Sequence, residues 1–137
     1  MESVVVTLAI LTNALRVAWS KESSSDKNWT PSNPSAGQCA ITACIIQDYL
    51  GGEIMHVTAT LSNGEKVSHY YNDLNSAEID LTKQQFPEGT TFAEPDQRTG
   101  DFKTTREYCL SFPDTAERYE ALKLKIIRLT KDSKYLA

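Results

Sequence analysis

The sequence predicts an α+β fold in which helices pack on a small antiparallel sheet. Apolar residues recur at helical spacing near both ends of the chain, and an apolar segment, residues 39–50, precedes a pair of glycines. Between them lie short segments rich in β-branched and aromatic residues, joined by tight-turn signals. A chain of 137 residues suits one hydrophobic core, so residues 1–137 are expected to form a single domain.

The first helix is predicted over residues 4–19. Its apolar positions are spaced three and four residues apart and form one stripe: Val4, Leu8, Leu11, Leu15 and Trp19. A polar loop of residues 20–38 follows and is long for a connection within a compact domain. Such a length favours a functional loop, and Trp29 within it is a candidate wall of a cleft.

The second helix is predicted over residues 39–50. Gly37 and the prolines before it keep the preceding segment irregular, and Gly51-Gly52 is a stop signal. The segment is apolar on most sides, which is typical of a helix buried in a core. Its first residue is Cys39, and a helix N-terminus favours negative charge, so this thiol is well placed to react as a thiolate.

Three strands are predicted next, over residues 53–61, 66–72 and 77–82. Asn63-Gly64 and residues 73–76 supply the two turns of a meander. In an antiparallel pair, the position numbers of opposed residues have a constant sum. If the second turn is centred between Leu74 and Asn75, that sum is 149, and His69 lies across from Asp80. Directly opposed residues have Cβ atoms about 5 Å apart. A slip of one residue would make this pair diagonal or move it off register.

The last third of the chain is expected to be irregular over residues 83–104, with a short strand or extended stretch over 108–112. A final helix is predicted from Pro113 or Asp114, with Asp114 and Glu117 spaced as in a capping box. One face of that helix is apolar and is expected to pack on the core: Tyr119, Leu122, Ile126 and Leu129.

Composition excludes several classes of protein. The net charge is −4, and the basic residues form no long cluster beyond four on the last helix, so nucleic acid is not an expected partner. No apolar run approaches the roughly 20 residues that span a bilayer. Residues 4–11 lack the basic flank of a signal peptide, and we expect a cytoplasmic protein with no membrane partner. Three cysteines cannot all pair within one chain, so free thiols are expected.

A family resemblance is carried by six segments: residues 18–23, 29–40, 47–52, 68–72, 79–82 and 118–123. Together they are similar to the YunG-like family of small, largely uncharacterised bacterial proteins. The order Cys39, His69, Asp80 also resembles papain-like and transglutaminase-like enzymes, in which the cysteine begins a helix and the other two residues follow on strands. The resemblance implies a reduced papain-like (cysteine proteinase-like) arrangement, with Cys39 as nucleophile, His69 as base and Asp80 as the residue that orients it.

Two amide side chains are alternative candidate donors for an oxyanion hole. Papain-like proteases carry a glutamine several residues before the cysteine, whereas here Gln38 directly precedes Cys39 and Asn33 lies six positions before it. Tyr71 joins Trp29 as a candidate cleft residue.

Three functions fit these residues. The first is a cysteine-dependent hydrolase or acyl transferase acting on an amide or thioester of a peptide or small molecule, with no cofactor. The second is a non-catalytic binding or regulatory domain on the same scaffold. The third, a metal site, is weaker because only three ligands are evident.

Four further residues have simpler interpretations. Asn72 and Asp73 are rivals of Asp80 as the third catalytic residue, although turn chemistry accounts for both. His56 has no carboxylate partner that sequence identifies, so an ordinary strand residue is expected there. Cys44 and Cys109 are expected to be structural, since free cysteine is commonly buried. The oligomeric state is not predicted.

Overall fold

Four helices and a four-stranded antiparallel sheet make up the fold, as seen in a computed structural model that describes residues 6–131. In chain order the elements are α1 (Leu8–Ala18), α2 (Cys39–Leu50), β1 (Glu53–Thr60), β2 (Lys66–Leu74), β3 (Ala77–Ile79), a 3₁₀ turn (Lys83–Gln85), β4 (Thr91–Phe92), α3 (Thr105–Leu110) and α4 (Pro113–Lys131). The strand order is β3-β2-β1-β4. The predicted α+β class is therefore confirmed.

Helix α2 lies at the centre of the core and has the predicted bounds. Six consecutive residues, 41–46, are buried because α4 and α1 contact one side of the helix while β2 and β1 contact the other. The helix ends at Gly51, whose φ of 78° only glycine adopts without strain.

Helix α1 begins later than its apolar stripe suggests. Thr7 caps it by accepting a hydrogen bond from the Ile10 amide at 3.2 Å, so residues 6 and 7 precede the helix. Residues 4 and 5 of the predicted helix lie outside the described residues. At the other end, Trp19 donates its indole N–H to Thr42 Oγ1 at 3.0 Å, which ties α1 to α2.

The register predicted for the second hairpin is wrong. The position numbers of opposed residues in β2 and β3 sum to 151 and not to 149, since Asn72 pairs with Ile79. The turn is centred on Asn75 and Ser76, both at positive φ, and Asp73 Oδ1 fixes it by accepting a hydrogen bond from the Ser76 amide at 2.9 Å. β3 also ends at Ile79 instead of residue 82. Asp80 is therefore diagonal to His69.

The strand or extended stretch expected over residues 108–112 is also wrong, because α3 occupies Thr105–Leu110. Thr104 begins the helix by accepting a hydrogen bond from the Glu107 amide at 3.0 Å. The Thr-x-x-Glu spacing is the sequence signal for this helix start. Residues 83–104 contain the 3₁₀ turn and the two residues of β4, and are otherwise without regular structure.

Helix α4 packs on the core as predicted, but its start differs from the expected capping box. Pro113 is the first helical residue, a position where its missing N–H costs nothing. The Asp114 carboxylate accepts a hydrogen bond from Arg118 Nε at 3.0 Å. The apolar stripe faces inward, with Tyr119, Leu122 and Ile126 buried.

Within residues 6–131, no helix combines the length and the apolar composition that crossing a membrane would need.

A pair of leucines two positions apart on α4 tests how much its buried face stabilises the fold. Leu122 is 0% exposed and Leu124 is 56% exposed. We expect Leu122→Ala to lower the free energy of unfolding by about 2–5 kcal/mol, because it leaves a cavity in the core. Leu124→Ala should change it by about 0.5 kcal/mol or less. Urea denaturation followed by circular dichroism measures both, and equal losses would contradict the packing described here.

Candidate active site

The long loop of residues 20–38 folds back on itself and fixes the start of α2. Ser25 donates its amide to Gly37 O at 3.0 Å, and Gly37 donates its own amide to Gln85 Oε1 at 3.2 Å. Gly37 has φ +70°, and a Cβ there would lie 2.6 Å from the Asp26 amide nitrogen. Only glycine fits, so the backbone that leads into Cys39 has little freedom.

Cys39 differs from the other two cysteines in exposure. All three thiols are free, but Cys44 and Cys109 are buried while Cys39 is partly exposed. Burial raises the pKa of the Cys44 and Cys109 thiols to about 12. Cys39 is therefore the thiol that solvent and reagents can reach.

The structure forms the predicted hydrogen bond between His69 and Asp80. Nε2 of His69 lies 2.7 Å from Asp80 Oδ2, and the two side chains are 0% and 6% exposed. His69 is in the middle of β2, and Asp80 follows the last residue of β3. The contact is diagonal, and such neighbours on one face of a sheet remain within reach of long side chains.

The environment of His69 favours its protonated form. Burial lowers the pKa of the imidazole, but the interactions with Asp80 and with Cys39 outweigh burial and raise the pKa to about 9. A carboxylate and a sulfur atom thus act on the same ring. The second ring nitrogen, Nδ1, is buried and has no hydrogen-bond partner among the described residues.

Aromatic side chains surround the imidazole. Phe86 meets it edge-on with ring centroids 4.9 Å apart, and Phe92 lies at 6.3 Å. Tyr71, predicted as a cleft residue, stacks at 6.5 Å with an interplanar angle of 24°. This cover keeps water from His69 and explains its complete burial.

The two oxyanion candidates each use one amide N–H elsewhere. Gln38 Nε2 donates to Ser20 O at 3.0 Å, and Asn33 Nδ2 donates to Gln85 O at 3.1 Å. Trp29 is half-buried and donates its indole N–H to Pro34 O at 2.9 Å, inside the loop. Each of these side chains stabilises the loop, and their roles toward a substrate stay predictions.

Turn chemistry accounts for Asp73 as predicted, but it does not account for Asn72, which is a buried residue of β2. Asn72 donates to Ala43 O at 2.9 Å and so attaches β2 to α2. Asp73 Oδ1 accepts a hydrogen bond from the Ser76 amide within the hairpin turn.

His56 has a carboxylate partner that the sequence did not reveal. Its Nδ1 lies 2.9 Å from Asp96 Oδ1, and the two residues exchange backbone hydrogen bonds. Burial lowers the pKa of His56, and the bond to Asp96 only partly opposes that effect. Asp96 lies in a segment without regular structure, 40 positions along the chain, so no spacing rule could have joined the pair.

Within residues 6–131 there is no group of three or more histidine, cysteine, aspartate or glutamate side chains arranged to hold a metal ion.

Comparison with known proteins identifies one family. A family model described as "YunG protein" matches residues 7–131, nearly the whole chain. The chain belongs to the YunG family. Among its YunG relatives is "Uncharacterized protein YunG" of Bacillus subtilis (strain 168), which is 36% identical over 94 residues, or 68% of this chain and 76% of the relative. No solved structure matches the chain.

The two histidine–aspartate pairs of this YunG-family chain allow a matched test of the His69 environment. We expect Asp80→Asn to lower the pKa of His69 from about 9, because the carboxylate that stabilises the imidazolium is gone. Asp96→Asn is the control and should shift the titration of His56 alone. The pH dependence of the ring-proton shifts in NMR spectra reports both residues. An unchanged His69 titration in Asp80→Asn would show that Asp80 does not act on it.

Proposed function

We propose that this protein is a cysteine-dependent acyl-transfer enzyme, a hydrolase or acyl transferase with a reduced papain-like arrangement of Cys39, His69 and Asp80. The observation that carries the proposal is a buried imidazole that interacts with a carboxylate through one nitrogen and with a partly exposed thiol at a helix N-terminus. Cysteine nucleophiles use this combination, because an imidazolium and a helix N-terminus both stabilise a thiolate.

In the first half of the reaction, the Cys39 thiolate attacks the carbonyl carbon of an amide or thioester. A bond forms between sulfur and carbon, and the bond from carbon to the leaving nitrogen or sulfur breaks. The His69 imidazolium gives its proton to that leaving group. Asp80 holds the ring in place through Nε2 and stabilises its charged form.

In the second half, water or another acceptor attacks the acyl group on Cys39. His69, now neutral, takes the proton of the attacking group, and the bond between sulfur and carbon breaks to restore the thiolate. Candidate donors to the oxyanion are the Cys39 backbone N–H and the amides of Gln38 and Asn33. Loss of one such donor lowers kcat by about 10²–10³ in other enzymes.

A binding or regulatory domain on the same scaffold is the second candidate, and the burial of the site favours it. His69 is 0% exposed beneath Phe86 and Phe92, so a substrate has little access to the imidazole in this conformation. Under either candidate the partner is a peptide or small molecule, with neither nucleic acid nor a membrane involved. Three free thiols agree with a reducing compartment, and we propose the cytoplasm.

Labelling with iodoacetamide tests the nucleophile. We expect Cys39 to be modified first at neutral pH, since burial holds the other two thiols protonated. Peptide mapping after a brief reaction identifies the labelled residue. Cys39→Ala should remove fast labelling, and Cys109→Ala should retain it. Fast labelling at Cys44 in the folded protein would contradict the proposal.

An activated ester tests the reaction itself. With p-nitrophenyl acetate we expect a burst of nitrophenolate stoichiometric with protein, and an acetyl group on Cys39 in the mass spectrum of its peptide. Cys39→Ala should abolish the burst, and His69→Asn should slow it by about 10²-fold or more. The matched control is His56→Asn, which removes the other buried histidine. A folded wild-type protein that gives no acetyl-Cys39 would leave the binding domain as the function.

A further inference from the structure

A small cavity borders the carboxylate of the histidine–aspartate pair. Its volume is about 130 Å³, and it is lined by Val57, Tyr71, Glu78, Asp80, Lys83, Phe92, Ala93 and Pro95. A cavity of about 150 Å³ holds a benzene molecule, so this one suits a group of about five non-hydrogen atoms. Three of its lining residues, Tyr71, Asp80 and Phe92, also interact with His69, whereas Cys39 does not line it.

One oxygen of Asp80 lacks a partner. Oδ2 contacts His69, whereas Oδ1 is buried and accepts no hydrogen bond from any residue of the described chain. A buried carboxylate oxygen without a donor destabilises the folded protein, because it has lost its hydrogen bonds to water and formed none within the protein. The Asp80 side chain is only 6% exposed, so bulk water does not supply the missing hydrogen bond.

The other lining residues decide which donor fits. Val57, Phe92, Ala93 and Pro95 give the cavity an apolar wall, and Glu78 adds a second carboxylate beside Asp80. The ligand must donate a hydrogen bond, because the unpartnered atom of Asp80 is a carboxylate oxygen, which accepts. The Lys83 ammonium already lies 5.0 Å from the centroid of Phe92 and 3.7 Å from Glu78, so the rim of the cavity holds one ammonium group.

Two of the side chains that line the cavity are exposed enough to move when a ligand enters. Lys83 and Phe92 are 52% and 37% exposed. Exposed side chains change rotamer within picoseconds to nanoseconds, so these two can move as a ligand enters.

We propose that this cavity is a binding site for a compact N–H donor, an ammonium or a primary carboxamide on a short apolar stem, which donates a hydrogen bond to Asp80 Oδ1. The bound group engages the same carboxylate that orients His69, so occupancy of the cavity changes the electrostatic environment of the imidazole. The site is distinct from the Cys39 side of the ring, and its occupancy does not depend on whether the protein catalyses acyl transfer.

NMR titration of the full chain with three small probes tests the site. The probes are n-propylammonium, propionamide and propionate, which share one apolar stem and differ in their polar group. We expect a saturable shift of the His69 ring protons with one or both N–H donors and none with propionate. The His56 signal is the internal control and should not move. The ammonium and the carboxamide arms distinguish a charged from a neutral donor.

Two variants separate this site from a general effect of the probes. Ala93→Leu fills the cavity from an exposed position, so it should abolish the saturable shift while the free protein keeps its His69 titration. Asp80→Asn replaces one acceptor oxygen by a donor and should weaken binding at least tenfold. The proposal is overturned if neither N–H probe gives a saturable shift, if propionate gives the same shift, or if the shift survives in Ala93→Leu.

Discussion

The burial of the middle of α2 is the constraint on which the rest of the structure depends. Six consecutive residues, 41–46, are buried, so this part of the helix needs neighbours around its whole circumference. Helices α1 and α4 cover one side and the sheet covers the other. The hydrogen bonds from Trp19 to Thr42 and from Asn72 to Ala43 O then fix how these layers sit on it. The position of Cys39, the first residue of α2, follows from this packing.

The chemistry of the site follows from placing an imidazole where water cannot reach it. Burial alone would keep His69 neutral, and only the contacts with Asp80 and Cys39 reverse that effect. His56 shows the other outcome within the same sheet. It is equally buried and also has an aspartate partner, yet burial prevails and its pKa is lowered. Asp96 is 60% exposed, whereas Asp80 is 6% exposed, and water screens the charge of the exposed carboxylate.

Much of the candidate site could be predicted from the sequence, but not its register. The meander and the bounds of α2 follow from alternation, turn residues and glycine stop signals. The turn is centred one residue later than predicted because Asp73, Asn75 and Ser76 all suit turn positions, and the sequence does not show which two residues take the positive φ angles. His69 still meets Asp80, because that shift preserves the face of the sheet and changes only the distance along it.

The sequence by itself determined the α+β class, the buried helix that begins at Cys39 and the YunG family, since periodicity, glycine positions and segments similar to the family are properties of the chain. Tertiary structure alone decided which groups meet. It joined His56 to Asp96, placed Phe86 and Phe92 near His69, and left Asp80 Oδ1 buried without a hydrogen-bond partner among the described residues. The reason is physical: local patterns set backbone conformation, whereas burial and charge at a site come from residues far apart in the chain.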